Sequence, residues 1–523
     1  VLLAAGAAPA ATPSALDPAA LAARVDAHLA AGWSGAGVQP APRCHDPEFV
    51  RRVYLDLAGR IPSVAEVRAF LDDTRADKRR RLVDTLLDGP RYVTHFSRVW
   101  RSLLLPEVTT SPQIRFQGPS FEAWLRKHLV ANSGYDVMVR DLLSAPVGGP
   151  GGPFNRQGGP NPQSFYMAKE VKPENLAAAT SRLFLGFRLE CAQCHNHPFA
   201  RWKKEQFWAF AAFFAGLQRQ GAGDFFFPTG EKPDRHEITL PNTERVVQAA
   251  FPDGTRPKWK DKQSARQTLA DWVTSAQNPY FARAAVNRLW CYFLGTGLVD
   301  PVDEMVGAEY APSHPELLDE LARQFAAHRF DLKYVIRALT ATQAYQRTSA
   351  RTHPSQDDPK QFARMPLRGL SAEQLYDSVA EATGFREQGG NQGFFPRGPR
   401  VDFQTLFAAG GDKPTDHHTS ILQALAVMNG RLTADATDLE KSVTLAAVGD
   451  APFLDTAGRV EALFLAALAR RPTPKELTRC ISYIERGGPA GAATTGDAEK
   501  RYQRALADVF WAILNTGEFM LNH

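Results

Sequence analysis

The 523-residue chain is 44% hydrophobic and 22% charged, a globular balance that excludes a wholly disordered chain, and the length exceeds one ordinary core, so two domains are expected. A formal net charge of +5 is small for this length, and with no RNA-binding or DNA-binding signature nucleic acid is not an expected partner. Of the five cysteines only two lie close together, which excludes a disulfide scaffold.

Residues 1–16 open with Val-Leu-Leu-Ala-Ala-Gly-Ala-Ala-Pro-Ala-Ala. This reads as the apolar end of a secretory signal, with small-residue cleavage sites around Ala7 or Ala10, or as a flexible Ala/Pro-rich tail. No run of 18 apolar residues follows, so no transmembrane span is expected. A first domain is expected over residues 17–217. A short helix begins at Pro18, and from Asp46 the residues Phe49, Val50, Val53, Tyr54 and Leu57 recur at helical spacing. Ser63 and Glu66 form a capping box that starts the next helix. Asp77–Leu87 and Tyr92–Leu105 are two more, separated by the breaker Gly89-Pro90. A Gly/Pro-rich stretch over 147–160 reads as a surface loop.

A helix over Pro173–Leu189 then delivers the chain into Cys191-Ala192-Gln193-Cys194-His195. Two thiols at i and i+3 suit the two vinyl groups on one porphyrin edge, and the adjacent imidazole suits the iron. Cys191, Cys194 and His195 are therefore the candidate haem c residues, with His195 as proximal iron ligand. Two other readings stay open at this spacing: a zinc site that adds His197 to the same three residues, and a dithiol or disulfide. Beyond the motif, Phe207, Phe210 and Phe214 share a helix face beside Trp208 and are candidates for an apolar porphyrin wall. Arg188, Arg201, Lys203 and Lys204 are candidates for the propionates. Small cytochromes place a Met downstream as sixth ligand, but none occurs between Met167 and Met305. The sixth-ligand candidates are Met167, His95, His236, Met305, His417 and His418.

Residues 218–262 are poor in helical pattern. Phe225–Pro228 and Glu237–Leu240 suggest short strands, so this segment is read as a connection with short strands. A C-terminal helical domain is expected over 263–523, with a Gly-rich insertion near 384–412. Ser313 and Glu316 suggest a capping box at a helix start. Asp416, His417 and His418 precede an expected helix over 421–428 and form a possible metal or acid–base group. Thr473 and Glu476 repeat the capping box of Ser63 and Glu66, and Leu514–Phe519 matches Leu87–Tyr92, which suggests two copies of one helical hairpin. The fold class is thus mainly α: two helical domains with a short β-containing connection.

Several strings carry a resemblance. Arg52–Pro62, Cys191–Phe214, Asn278–Trp290, Ser313–Leu318 and Leu514–Phe519 resemble the planctomycete cytochrome-c-like secreted proteins built from two paired domains of unknown function. That resemblance implies export, periplasmic or secreted, and a covalent haem on Cys191 and Cys194 with His195 as axial ligand, and it supplies no established reaction. The function expected is an exported c-type haem protein for redox transfer, with a redox partner protein, or for haem-ligand chemistry. The alternatives are a binding or scaffold module with a structural zinc at the Cys/His cluster, and an extracellular hydrolase linked to polysaccharide breakdown that uses Asp416, His417 and His418.

Overall fold

A computed structural model of the chain describes residues 15–148, 159–196, 202–222, 225–385, 398–408, 430, 433–434, 437–488 and 498–523. The fold is mainly α. Its strands form three two-stranded antiparallel pairs among the described residues: Leu217–Ala222 with Phe225–Glu231, Glu237–Thr239 with Val246–Gln248, and Arg368–Gly369 with Leu521–Asn522. The first two pairs fall where β-branched and aromatic runs alternate with turn residues. The third joins segments some 150 residues apart, and no local pattern announces it.

Local chemistry sets the helix ends. Pro18–Ala36 is capped by Asp17, whose side chain accepts from the Ala20 N–H, and is stopped by Gly37 in the left-handed conformation. Two of the three anticipated capping boxes are formed, at Ser63/Glu66 and Thr473/Glu476, and others occur at places that include Ser264/Gln267 and Ser371/Gln374. The box expected at Ser313/Glu316 is not formed. The helix Pro315–Ala327 starts there, but His314 is its N-cap and makes no side-chain capping bond; the Ser313 hydroxyl instead lies 3.2 Å from the Leu298 carbonyl.

Two hydrophobic cores organise the molecule. The larger draws on residues from Leu21 to Met365, on both sides of the strand-bearing segment, and the smaller on residues from Leu370 to Phe519. Each core also takes in residues from the other part of the chain. Leu55 and Ile61 are buried in the smaller core, and Leu465 and Ala469 in the larger. The elements that cross over are the two copies of the repeated hairpin. In both, a residue with positive φ ends the first helix, Gly59 at 70° and Ala469 at 56°. The next residue is an arginine in a two-pronged pair with the capping-box glutamate: Arg60 with Glu66 at 2.8 Å, Arg470 with Glu476 at 2.9 Å. The same sequence signal thus builds the same bend twice, and the two bends pack on each other.

Buried polar groups lock this junction. Arg51 is fully buried and donates to the carbonyls of Ala467, Glu518 and Phe519. Arg52, also fully buried, donates to the carbonyls of Tyr345, Arg347 and His523 and pairs with Glu48 at 2.7 Å. The Asp56 carboxylate accepts from Arg368, from the Tyr345 hydroxyl at 2.7 Å and from the Asn522 amide at 2.8 Å. One turn of helix, Arg51 to Asp56, therefore holds three distant stretches together through groups that are costly to leave unpaired. Among the described residues no helix is long and apolar enough to cross a membrane.

Candidate functional site

The approach to the motif is shorter than its apolar pattern suggests. Pro173–Thr180 is α-helical, and Ser181–Leu185 widens into a π turn. Gly186, with φ 74°, ends the helix there rather than at Leu189, its N–H bonding back to the Ser181 carbonyl. Phe187 and Leu189 are buried, so the chain is pinned to the core on its way to the cysteines. Glu190–Ala192 form a single 3-10 turn with Ala192 fully buried. The motif is therefore a bend on a buried hinge, and not a continuous helix face.

On that bend Cys191, Cys194 and His195 are all exposed, and both cysteines are free thiols. The indole N–H of Trp208 donates to the Gln193 carbonyl at 3.1 Å, so the turn between the cysteines is tied to the helix Lys204–Ala211. The Lys204 N–H donates to the Asn196 side chain at 3.0 Å and fixes the exit of the turn. His195 Nδ1 lies 2.8 Å from the Asn196 carbonyl oxygen. A carbonyl only accepts, so the proton of the neutral ring sits on Nδ1, and the Nε2 lone pair is left for a metal. Burial, then the negative charges of Glu190 and Glu304, push the Cys191 thiol up from its usual value. It is held as a thiol at neutral pH, unlike an activated thiolate nucleophile.

Other expected contributors lie elsewhere. Phe207, Phe210 and Phe214 are completely buried in the larger core and do not form an exposed porphyrin wall. The helical stripe that marks an apolar wall in the sequence equally marks core, and here α-helical neighbours and the second strand pair cover it. His95 is buried, its Nε2 2.7 Å from the Tyr292 hydroxyl, and burial pushes its pKa down to about 3. Met167 is fully enclosed. His236 stacks on Trp259 with centroids 3.6 Å apart. Of the four sixth-ligand candidates among the described residues, Met305 is the one bonded to the approach: its N–H donates to the Gly186 carbonyl at 2.8 Å. His197, Arg201, Asp416, His417 and His418 lie outside the described residues.

Two kinds of bound group were anticipated. Among the described residues no set of three or more His, Cys, Asp or Glu side chains is arranged to hold a metal ion, so the four-ligand zinc arrangement has no support from them. Two exposed thiols beside an exposed imidazole whose Nδ1 contacts a backbone carbonyl fit the anchoring needs of a covalent haem. Arg188, a propionate candidate, instead pairs with Glu304 at 3.5 Å. A cleft of about 780 Å³ lies away from the motif, between the two hairpin copies. Its walls include Arg68, Leu71, Leu465, Arg471 and Glu518.

Residues 24–219 match the family PSCyt2, described as a protein of unknown function (DUF1549), and residues 265–415 match PSD1, described as a protein of unknown function (DUF1553). No curated protein and no solved structure matches the chain.

Proposed function

From the premise that one chain pairs a PSCyt2 region with a PSD1 region, we propose that it is an exported c-type haem protein. Cys191 and Cys194 are the covalent anchors and His195 is the proximal ligand. The observation that carries this reading is the His195 ring: its Nδ1 is 2.8 Å from the Asn196 carbonyl, on an exposed residue beside two exposed cysteines. A metal-ligating histidine needs that arrangement, because the bond at one nitrogen sets the tautomer and the ring angle for the other. A bound haem supplies one-electron transfer or small-ligand binding at iron. The chain's own part is to hold three groups on one rigid bend, through Ala192 packed beneath it and Trp208 bonded to its middle.

The test is the mass of the full chain after expression with haem-attachment machinery and export. The expected result is the added mass of one haem, lost in Cys194→Ser, with a pyridine haemochrome spectrum that reports two thioether bonds. A polypeptide of unmodified mass under those conditions overturns the reading.

A further inference from the structure

An exposed haem anchor leaves a question that the buried phenylalanines cannot answer: which apolar surface would lie beneath the ring. The segment beside the motif comes from the other matched region. It is tied to the motif's approach at three points. Arg288 donates through one nitrogen both to the Arg182 carbonyl at 3.2 Å and to Asp303 at 2.6 Å. Glu304 pairs with Arg188 at 3.5 Å, and the Met305 N–H bonds to the Gly186 carbonyl at 2.8 Å. Gly186 has no side chain to obstruct this approach; a Cβ there would overlap the Met305 thioether. Gly307, with φ 140°, then turns the chain so that Tyr310 returns over it, and the Tyr310 phenol lies within electrostatic reach of both Glu304 and Arg188.

Met305, Val306 and Tyr310 all rest on the larger core yet keep part of their surface in water. Glu304, in the same segment, acts on the Cys191 thiol. These half-exposed apolar residues belong to the segment that is bonded to Gly186 and paired with Arg188, three to five residues before the first cysteine.

Resting on the haem reading above, we propose that Met305, Val306 and Tyr310 form the ledge against which a macrocycle anchored at Cys191 lies. The PSD1 region thereby completes a site whose anchors belong to the PSCyt2 region. A ledge of this kind excludes water from one side of the ring, and solvent access is one of the levers by which a protein sets haem potential.

The test uses the full chain, loaded with haem, with Val306→Ser and Tyr310→Ser as ledge variants. Leu367→Ser, at a residue 56% exposed and outside the ledge, is the control. Loading is read by mass, and the midpoint potential and the rate of reduction by ascorbate are read on the loaded proteins. The ledge variants should load, show a lower potential because water favours the more charged ferric state, and be reduced several-fold faster by the small aqueous reductant. The control should match wild type. Val306→Thr, which keeps the shape and exchanges one methyl for a hydroxyl, should shift the potential in the same direction and serves if a serine variant fails to fold. Loaded ledge variants with wild-type potential and rate overturn the ledge and leave the haem reading standing. A wild-type chain that gains no haem mass overturns both.

Discussion

Removal of the Asp56 carboxylate tests the junction on which the two-core arrangement depends. Asp56 is 1% exposed. It is bonded to the Arg368 guanidinium at 2.9 and 3.0 Å, to the Tyr345 hydroxyl at 2.7 Å and to the Asn522 amide at 2.8 Å. Asp56→Ala leaves Arg368 as a buried cation without its counter-charge, a loss of about 3–5 kcal/mol. It also strips the hydroxyl and the amide of an acceptor, at about 1–3 kcal/mol for each group that water cannot reach. These losses share one site and do not add in full, so about 5 kcal/mol is the expected cost. That is comparable with the lower end of whole-domain stability, about 5 kcal/mol. The assay is urea unfolding followed by tryptophan fluorescence and far-UV circular dichroism. Asp56→Ala/Arg368→Met removes both charges and should recover more than half of the loss, because the penalty lies in the orphaned cation rather than in the missing bond. A single variant that costs under about 1 kcal/mol, the range of an exposed pair, refutes the reasoning. So does a double variant no more stable than the single.

Gly59→Ala places a side chain on a residue at φ 70°, against the His95 ring, and should cost about 1–3 kcal/mol in the same denaturation assay. At the matching place in the second hairpin, Ala469→Gly relieves a left-handed alanine at about 1 kcal/mol but removes a buried methyl worth about 0.8 kcal/mol, so its unfolding midpoint should barely move. The hydrogen bonds from Arg470 hold Glu476 down to about 2. A depressed carboxylate contributes stability above its unfolded value near 4.5, and that contribution is lost as pH falls through the folded value. The melting temperature of wild type should therefore drop more steeply between about pH 5 and 2 than that of Glu476→Gln; parallel curves would show that the pair does not couple to folding. Trp208→Phe keeps the ring in the core but removes the donor to Gln193, a bond worth about 1 kcal/mol. The fraction of chain that acquires haem mass should fall, and unchanged loading would show that the turn is held without the indole.

Much of this protein was legible one segment at a time. The capping boxes at Ser63 and Thr473 and the strands near 225 and 237 depend on residues within a few positions of one another. Such signals survive without knowledge of what packs above them. The mirrored hairpins were legible for the same reason, since the Arg-x-Pro-Ser/Thr-x-x-Glu spacing is a local recipe for a bend and a capped helix.

What covers each surface was not legible. Phe207, Phe210 and Phe214 show the same periodicity whether they face a cofactor or a core, and only their position under the neighbouring helices and strands makes them core. Met167, His95 and His236 carry metal-ligating atoms, but distant partners enclose or occupy them. The exchange of Leu55 and Ile61 for Leu465 and Ala469 between the cores, the Arg51–Asp56 lock and the approach of Met305 to Gly186 all join residues more than a hundred positions apart. The chain's sequence by itself determined most of its helices, several of their caps and the placing of two cysteines and a histidine within five residues. The tertiary structure alone decided which apolar faces are buried and which remain beside those three residues, because burial is a property of the partner that arrives and not of the segment that waits for it.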